Sequence, residues 1–418
     1  MKKNILIFFI ICFSPFHLYS QTGWYPLTSG ASATLWSVYF PSSGSGNSGF
    51  IAGSSGTILV TTNAGGNWTS QTSNTSNDLT SVYFINSQTG WAAGGLGTII
   101  HTSNAGASWI VQSTPTTQIL HSIFFINQLT GWAVGWQGTI LNTTDGGTNW
   151  ILQVSTSGDY LWSVYFTSPT NGTASGRNGR IIKTTNAGAN WFDIQFGTSG
   201  TFYSLFFANP LTGWTAGLYV SMVTTNGGYN WSNQPAPGIY LSVYFPSVNT
   251  GWRTGSDGLI NYTTNSGNAW SAQTSNTANW LYSVFFTSQS IGYIAGDAGT
   301  ILKTTDGGGL FTGIKTISSN IPDKYELHQN YPNPFNPSTT IKFNIRPPFT
   351  PLLSKEGTGV VLKIYDALGK EVATLVNDNL SPGMYKVELD GSNLNSGVYF
   401  YRIETGSFTE MKRMLLLK

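Results

Sequence analysis

The chain has 418 residues, a formal net charge of +2, only 9% charged residues, 49 glycines and 15 tryptophans. So small a net charge leaves no electrostatic footprint for nucleic acid, and the length allows more than one domain. The single cysteine, Cys12, falls in the leader described next, so the remainder has no disulfide, thiol nucleophile or thiolate metal site. Lys2 and Lys3, followed by an almost unbroken apolar run over residues 5–13, predict a secretory signal peptide over residues 1–20, too short to span a bilayer. No later stretch is apolar for long enough to make a membrane helix. β-Branched, aromatic and turn-forming residues abound while strong helix formers are scarce, which predicts an all-β chain.

Seven units follow in residues 21–313. Each opens on a short aromatic run: SVYF at 37, 81, 163 and 242, SIFF at 122, SLFF at 204 and SVFF at 283. A GWAAG-type segment comes next, as at Gly90–Gly94, Gly131–Gly135 and Gly213–Gly217, then GTIL with a turn, then a strand starting at Trp. The turn tryptophans stand at Trp68, Trp109, Trp150, Trp191, Trp231 and Trp270, with Phe311 in seventh place, 39 to 41 residues apart. Four short strands per 40-residue period predict a seven-bladed β-propeller. The aromatic runs are apolar at consecutive positions, as expected of inner strands covered on both faces.

Trp24 lies 13 residues before Ser37, the interval that separates Trp68 from Ser81 and Trp109 from Ser122. The first strand is therefore predicted to be a lone fourth strand that completes the seventh blade and removes its open edge. The alternative is that the residues from Phe311 onward supply that strand. Both fit the spacing.

Each turn reads Thr-x-Asn/Asp-x-Gly-x-x-Trp, with Asn63, Asn104, Asp145, Asn186, Asn226, Asn265 and Asp306 at its polar position. The short polar side chain accepts hydrogen bonds from the backbone just ahead, glycine supplies a positive φ, and the Trp covers the hinge. One buried Trp contributes about 4–6 kcal/mol at most, well above the roughly 1 kcal/mol conformational cost of the glycine. These positions are expected to be structural.

The turn resembles the Asp-box of bacterial neuraminidase repeats. Sialidases would need an arginine triad, a Tyr–Glu pair and an aspartate acid, but the units hold three arginines of which two, Arg177 and Arg180, are neighbours in one unit, seven acids that are all Asp, and no glutamate before Glu326. No carboxylate pair marks a glycosidase either. The fuller pattern, GWAVG followed by GTIL.TTDGG..W, resembles the photosystem II stability and assembly factor family over residues 24–311. That resemblance implies a propeller that binds a protein partner rather than an enzyme.

After an expected linker over residues 314–324 the composition changes and charge becomes dense. Residues 325–418 resemble the type A sorting domain of type IX secretion substrates, a small Ig-like β-sandwich. The match rests on Asn330-Tyr331-Pro332-Asn333-Pro334-Phe335-Asn336-Pro337, the Gly397-Val398-Tyr399 strand and the basic end. The resemblance implies delivery through the type IX machinery, across the periplasm and outer membrane, to the cell surface or beyond. Residues 346–359 read as an inserted loop.

In a propeller the turns joining strands two to three share a face with those joining four to one, opposite the Asp-box turns. The residue before each Ser of the aromatic runs is Trp36, Thr80, His121, Trp162, Tyr203, Leu241 and Tyr282. The aromatic and imidazole members form either a ligand-stacking rim or packing between blades. Trp136, Tyr219, Asp257 and Asp297 are placed on the same face, as are Arg177, Arg180 and Arg253, which either clamp an anionic partner or are solvated charges. His101, in a column with Asn142, Lys183 and Lys303, reads as variable and outward. No spacing suggests a metal site, and no cofactor is expected. The expected function is a non-enzymatic, exported propeller with a protein or peptide ligand, a glycan-binding module being the alternative and an Asp-box glycoside hydrolase a more distant one.

Overall fold

The computed structural model describes residues 23–41, 46–155, 158–194, 200–308, 312–318, 321–347, 358–380, 382–391, 394–406 and 408–418. The expected signal peptide, Phe311 and most of the expected inserted loop lie outside these residues. Seven four-stranded antiparallel sheets follow one another as blades. Blades one to six run from Leu35 to Gln71, Leu79 to Gln112, Leu120 to Gln153, Leu161 to Ile194, Phe202 to Gln234 and Tyr240 to Gln273. Blade seven takes three strands from Leu281 to Thr304, and its fourth is Tyr25–Leu27, paired antiparallel with Ile301–Thr304. The N-terminal strand is thus the closing one. Trp24 packs edge-on against Phe286 at 5.7 Å, as Trp68 packs on Phe40 at 6.1 Å and Trp109 on Phe84 at 5.9 Å.

Two closed rings hold the blades together. The serine of each aromatic run accepts the N–H of the next blade's inner strand: Ser37 from Val82, Ser81 from Ile123, Ser122 from Val164, Ser163 from Leu205, Ser204 from Val243, Ser242 from Val284 and Ser283 from Val38. The third residues of the same runs, Tyr39, Tyr83, Phe124, Tyr165, Phe206, Tyr244 and Phe285, touch in an unbroken belt with centroids 4.6 to 5.6 Å apart. Burial raises the phenol pKa of Tyr165 to about 12, so this belt is neutral. Between blades, second-strand rings stack on the next blade's Phe, as Trp91 does on Phe125 at 3.5 Å and Trp132 on Phe166 at 3.4 Å.

In all seven turns the Thr hydroxyl donates to the Asn or Asp side chain and accepts the N–H of the glycine four residues after the Thr. Those glycines have φ between +76° and +91°, a region that penalises a Cβ. Asp145 is held below the usual carboxylate range by the backbone and side chain of Asn149 and by Thr143. Asp306 accepts the N–H of Gly23, tying the closing strand to the last turn. In the column expected to face outward the two lysines reach the neighbouring blade instead: Lys183 is buried and donates to the Gly227 carbonyl at 2.7 Å and Lys303 donates to that of Ala64, while His101 packs on Trp91 of its own blade.

The C-terminal part is a two-sheet sandwich. One sheet orders Thr312–Ser318, Gly383–Asp390, Ser338–Ile345 and Glu326–Leu327; the other orders Glu371–Leu380, Thr358–Asp366, Gly397–Thr405 and Phe408–Leu416. Ile341, Phe343 and Val387 meet Leu362, Ile364, Tyr401 and Met414 in one core. Thr312–Ser318, assigned from sequence to the propeller end and linker, is therefore an edge strand of this sandwich. Its TGIKTIS sequence is too polar to distinguish an edge strand from a linker without its partner. The Asn–Pro motif is structural: Phe335 pairs by backbone with Leu415 and Leu417, and buried Asn330 donates to Thr339 and to the Pro332 carbonyl while its N–H reaches the Tyr401 hydroxyl.

Candidate functional site on the bulge face

The seven residues singled out ahead of the serines share one backbone device. The pairing of first and second strands slips between Leu35 and Ser37, and likewise in every blade, leaving Trp36, Thr80, His121, Trp162, Tyr203, Leu241 and Tyr282 as bulge residues with no ladder partner. A bulge re-aims one side chain out of the alternating pattern. The last glycine of each GWAAG segment accommodates it, because a Cβ on Gly94, Gly135 or Gly255 would overlap the carbonyl oxygen of Asp78, Ile119 or Ile239. The seven bulge residues are all half-buried.

Five of them form two runs of ring contacts. Trp36 lies 4.3 Å from Tyr282 and donates its indole N–H to Ser54 at 3.0 Å. The Tyr282 hydroxyl donates to Asp297, which also accepts from Thr34, and burial followed by the Asp297 charge lifts this phenol to about 12. The second run crosses blades three to five: His121 stacks on Trp162 at 3.8 Å, and Trp162 meets Tyr203 edge-on at 5.2 Å. Thr80 separates the runs on one side, bonded to the Ala93 carbonyl, and Leu241 on the other.

Trp136, from the strand two to three turn, joins the longer run. It stands 6.4 Å from His121 and stacks on Tyr160 at 4.9 Å, with the exposed Arg177 guanidinium 5.6 Å over the Tyr160 ring. Burial lowers the His121 pKa to about 4, so the imidazole is neutral at pH 7. His121 Nε2, Trp136 Nε1 and Trp162 Nε1 are buried without a hydrogen-bond partner. Three unmatched polar atoms in one ring cluster are unusual. The positive φ of Gln137, Asn178, Tyr219 and Asp257 marks the turn tips on this face, where Tyr219 is exposed.

Two of the three arginines stand apart from this cluster. Arg180 is tied to Asp159 at 3.0 Å and to Asp193. Arg253 is not on the face: it is buried, sandwiched 3.7 Å from the Tyr240 ring and 4.2 Å from Trp270, and donates to Pro235 and Tyr240. Desolvation lowers its pKa to about 10, so it stays charged at pH 7 as an internal cation. Its place in GWRTG is the middle of a second strand, which points between blades. Sequence reading passed over Tyr160, whose signal was its aromatic character two residues before Trp162.

Among the described residues no group of three or more His, Asp or Glu side chains is placed to hold a metal, and no helix is long and apolar enough to cross a membrane. Three acids on the bulge face make local bonds: Asp78 accepts the Ser55 N–H, Asp159 pairs with Arg180 and Asp297 holds Thr34 and Tyr282, while Asp257 is exposed at its turn tip.

Fold and face together define a closed seven-bladed propeller with an aromatic bulge face, followed by a small sandwich. A model of the photosynthesis system II assembly factor YCF48 matches residues 17–113 and 107–199, and a model of the secretion system C-terminal sorting domain matches residues 329–417. The chain carries a YCF48/BNR-like propeller domain and a secretion C-terminal sorting domain. The latter indicates export across the outer membrane to the cell surface or beyond. No curated protein sequence matches the chain. Among solved structures, YCF48 bound to D1 peptide is 19% identical, with a TM-score of 0.59 over 69% of this chain and 98% of that one. YCF48 from Cyanidioschyzon merolae is 18% identical, with a TM-score of 0.56 over 68% and 98%. The RRP9 WD40 repeats share the fold at 8% identity, with a TM-score of 0.59 over 68% and 99%.

Proposed function

We propose that the propeller is a non-enzymatic binding module that takes an extended peptide segment of a protein partner across the bulge face of blades three to five, outside the cell. The cluster of His121, Trp136, Tyr160, Trp162 and Tyr203, edged by Arg177, carries this reading. It offers a neutral aromatic floor on which peptide side chains stack and one exposed cation for an acidic residue. The likeness to a YCF48 structure that holds a D1 peptide supports a peptide over other ligands. A glycosidase needs two carboxylates at a set separation across a substrate; here Asp145 and Asp306 belong to the opposite turns, and Asp78, Asp159 and Asp297 are engaged in local bonds, which leaves Asp257 without a second carboxylate to act with.

A peptide array, probed beside a glycan array with the chain from residue 21, tests the proposal. Peptide binding that weakens in Trp162→Ala, and in Arg177→Ala at low salt, is the expected result. Dose-dependent binding to a single glycan class, lost in Trp162→Ala, would replace the peptide by a sugar.

A further inference from the structure

The fourth strands of the blades form the rim of the disc, and they are not alike. In blades one, five and six they are Thr69–Gln71, Ser232–Gln234 and Ser271–Gln273, with only Thr, Ser, Asn or the small Ala272 at the two exposed positions. In blade seven Pro26 sits in the middle of the strand, where it has no N–H to offer a further strand. Blades two and three instead carry Ile110–Gln112 and Ile151–Gln153. There Ile110, Val111, Ile151, Leu152 and the following Val154 are 52% to 85% exposed, and Phe192 on neighbouring blade four adds to them at 38%. The glutamines do have internal work, since Gln112 and Gln153 hold the next blade's turn. The apolar pairs ahead of them contribute little to the fold that the Thr–Ser and Ser–Asn pairs of other blades do not.

These strands are also sheet edges, each bonded to the third strand on one side only. Natural edges are blunted by charge or proline. The strands of blades two and three have neither. An uncharged, apolar edge with unpaired backbone groups is completed by another extended strand of the same character.

We infer that the outer edges of blades two and three form a self-association surface, on which two copies of this chain meet edge to edge about a two-fold axis. A second copy supplies the same strand, so an antiparallel pairing satisfies both edges at once, as an isologous contact requires. No like charges face one another across it, and the chain's net charge of +2 opposes association only weakly. The exposed apolar residues offer on the order of several hundred Å², a large part of the roughly 800 Å² per partner that a stable interface buries. This surface is separate from the bulge face, so its test does not depend on the peptide reading.

Sedimentation velocity on the chain from residue 21, over a hundredfold range of concentration, reads the outcome. A concentration-dependent dimer is expected, weakened at least about tenfold in Leu152→Lys and in Val111→Lys, each shown folded by its near-ultraviolet dichroism. Ser271→Lys, on the polar edge of blade six, leaves the dimer in place. A monomer at every concentration overturns the inference, as does a dimer indifferent to both lysines. Flotation of a monomeric chain with neutral phosphatidylcholine vesicles, lost in Leu152→Lys, would assign the patch to a lipid surface instead and overturn it too.

Discussion

Closure by a strand from the other end of the propeller concentrates stability on Trp24. Its indole is almost fully buried, lies edge-on to Phe286 at 5.7 Å and donates to Gln273 at 2.8 Å. Trp24→Ala removes a large buried ring, at about 3–5 kcal/mol. The glutamine oxygen keeps a second donor, the Trp252 indole at 3.2 Å, so the lost hydrogen bond adds only about 1 kcal/mol. Because Tyr25–Leu27 is just three residues long, losing its anchor also frees the strand and opens blade seven. The expected loss is about 4–6 kcal/mol, a large part of the 5–15 kcal/mol typical of a domain, or roughly 8–24 °C in Tm. Trp68→Ala is the internal control: that indole nitrogen is unpaired and its strand is fixed by chain connectivity. Its loss should be smaller by at least about 1 kcal/mol. Thermal and urea unfolding followed by tryptophan fluorescence measures both. Equal losses in the two variants, or a loss below about 1 kcal/mol for Trp24→Ala, would refute closure by the N-terminal strand.

Gly135→Ala drives a Cβ into the Ile119 carbonyl, whereas a Cβ on Gly95 meets nothing nearer than 3.7 Å. Urea unfolding should show a loss of about 2–3 kcal/mol for the first and little for the second. Ser163→Ala strands the Leu205 N–H between blades four and five, with an expected loss of about 1–3 kcal/mol that Ser163→Thr partly restores. His121 titrates at about 4 when folded, below its ordinary value near 6.5. The unfolded chain therefore binds the extra proton first, and stability present above pH 6.5 is lost as pH falls towards 4, by up to about 3 kcal/mol. In His121→Gln the part of the pH–stability curve between 6.5 and 4 should flatten; an unchanged slope there would count against a buried neutral imidazole.

The repeat, its closure and the turn were legible because each is local. A Thr, a short polar residue, a glycine and a Trp at fixed spacing make one turn, and the same spacing before Ser37 exposed the orphan strand. What joins blade to blade was not legible in this way. The serine of SVYF was visible in every repeat, but its partner is an N–H in the next unit, and no spacing announces that. The bulge was equally hidden, although the invariant glycine ending each GWAAG segment was its trace. Arg253 shows a signal that was present and unread. It replaces the Ala92, Ala133 and Ala174 of other blades, while Tyr240 replaces Leu79 or Leu120 and Asn261 replaces Ile100 or Leu141. Three coordinated changes in one blade describe a buried polar cluster, and the structure joins them by the hydrogen bonds of Tyr240, Arg253 and Asn261. Thr312–Ser318 failed for the opposite reason, since its partner strand lies some seventy residues downstream.

Hydrogen–deuterium exchange of the chain from residue 21, with and without a peptide chosen on the array, tests the central claim most directly. Peptide binding on blades three to five predicts slowed exchange in segments around His121, Tyr160 to Trp162, Arg177 and Tyr203, with the Asp-box turns around Asn63, Asp145 and Asn226 unchanged. Slowed exchange at those turns, with none around Trp162, would contradict it.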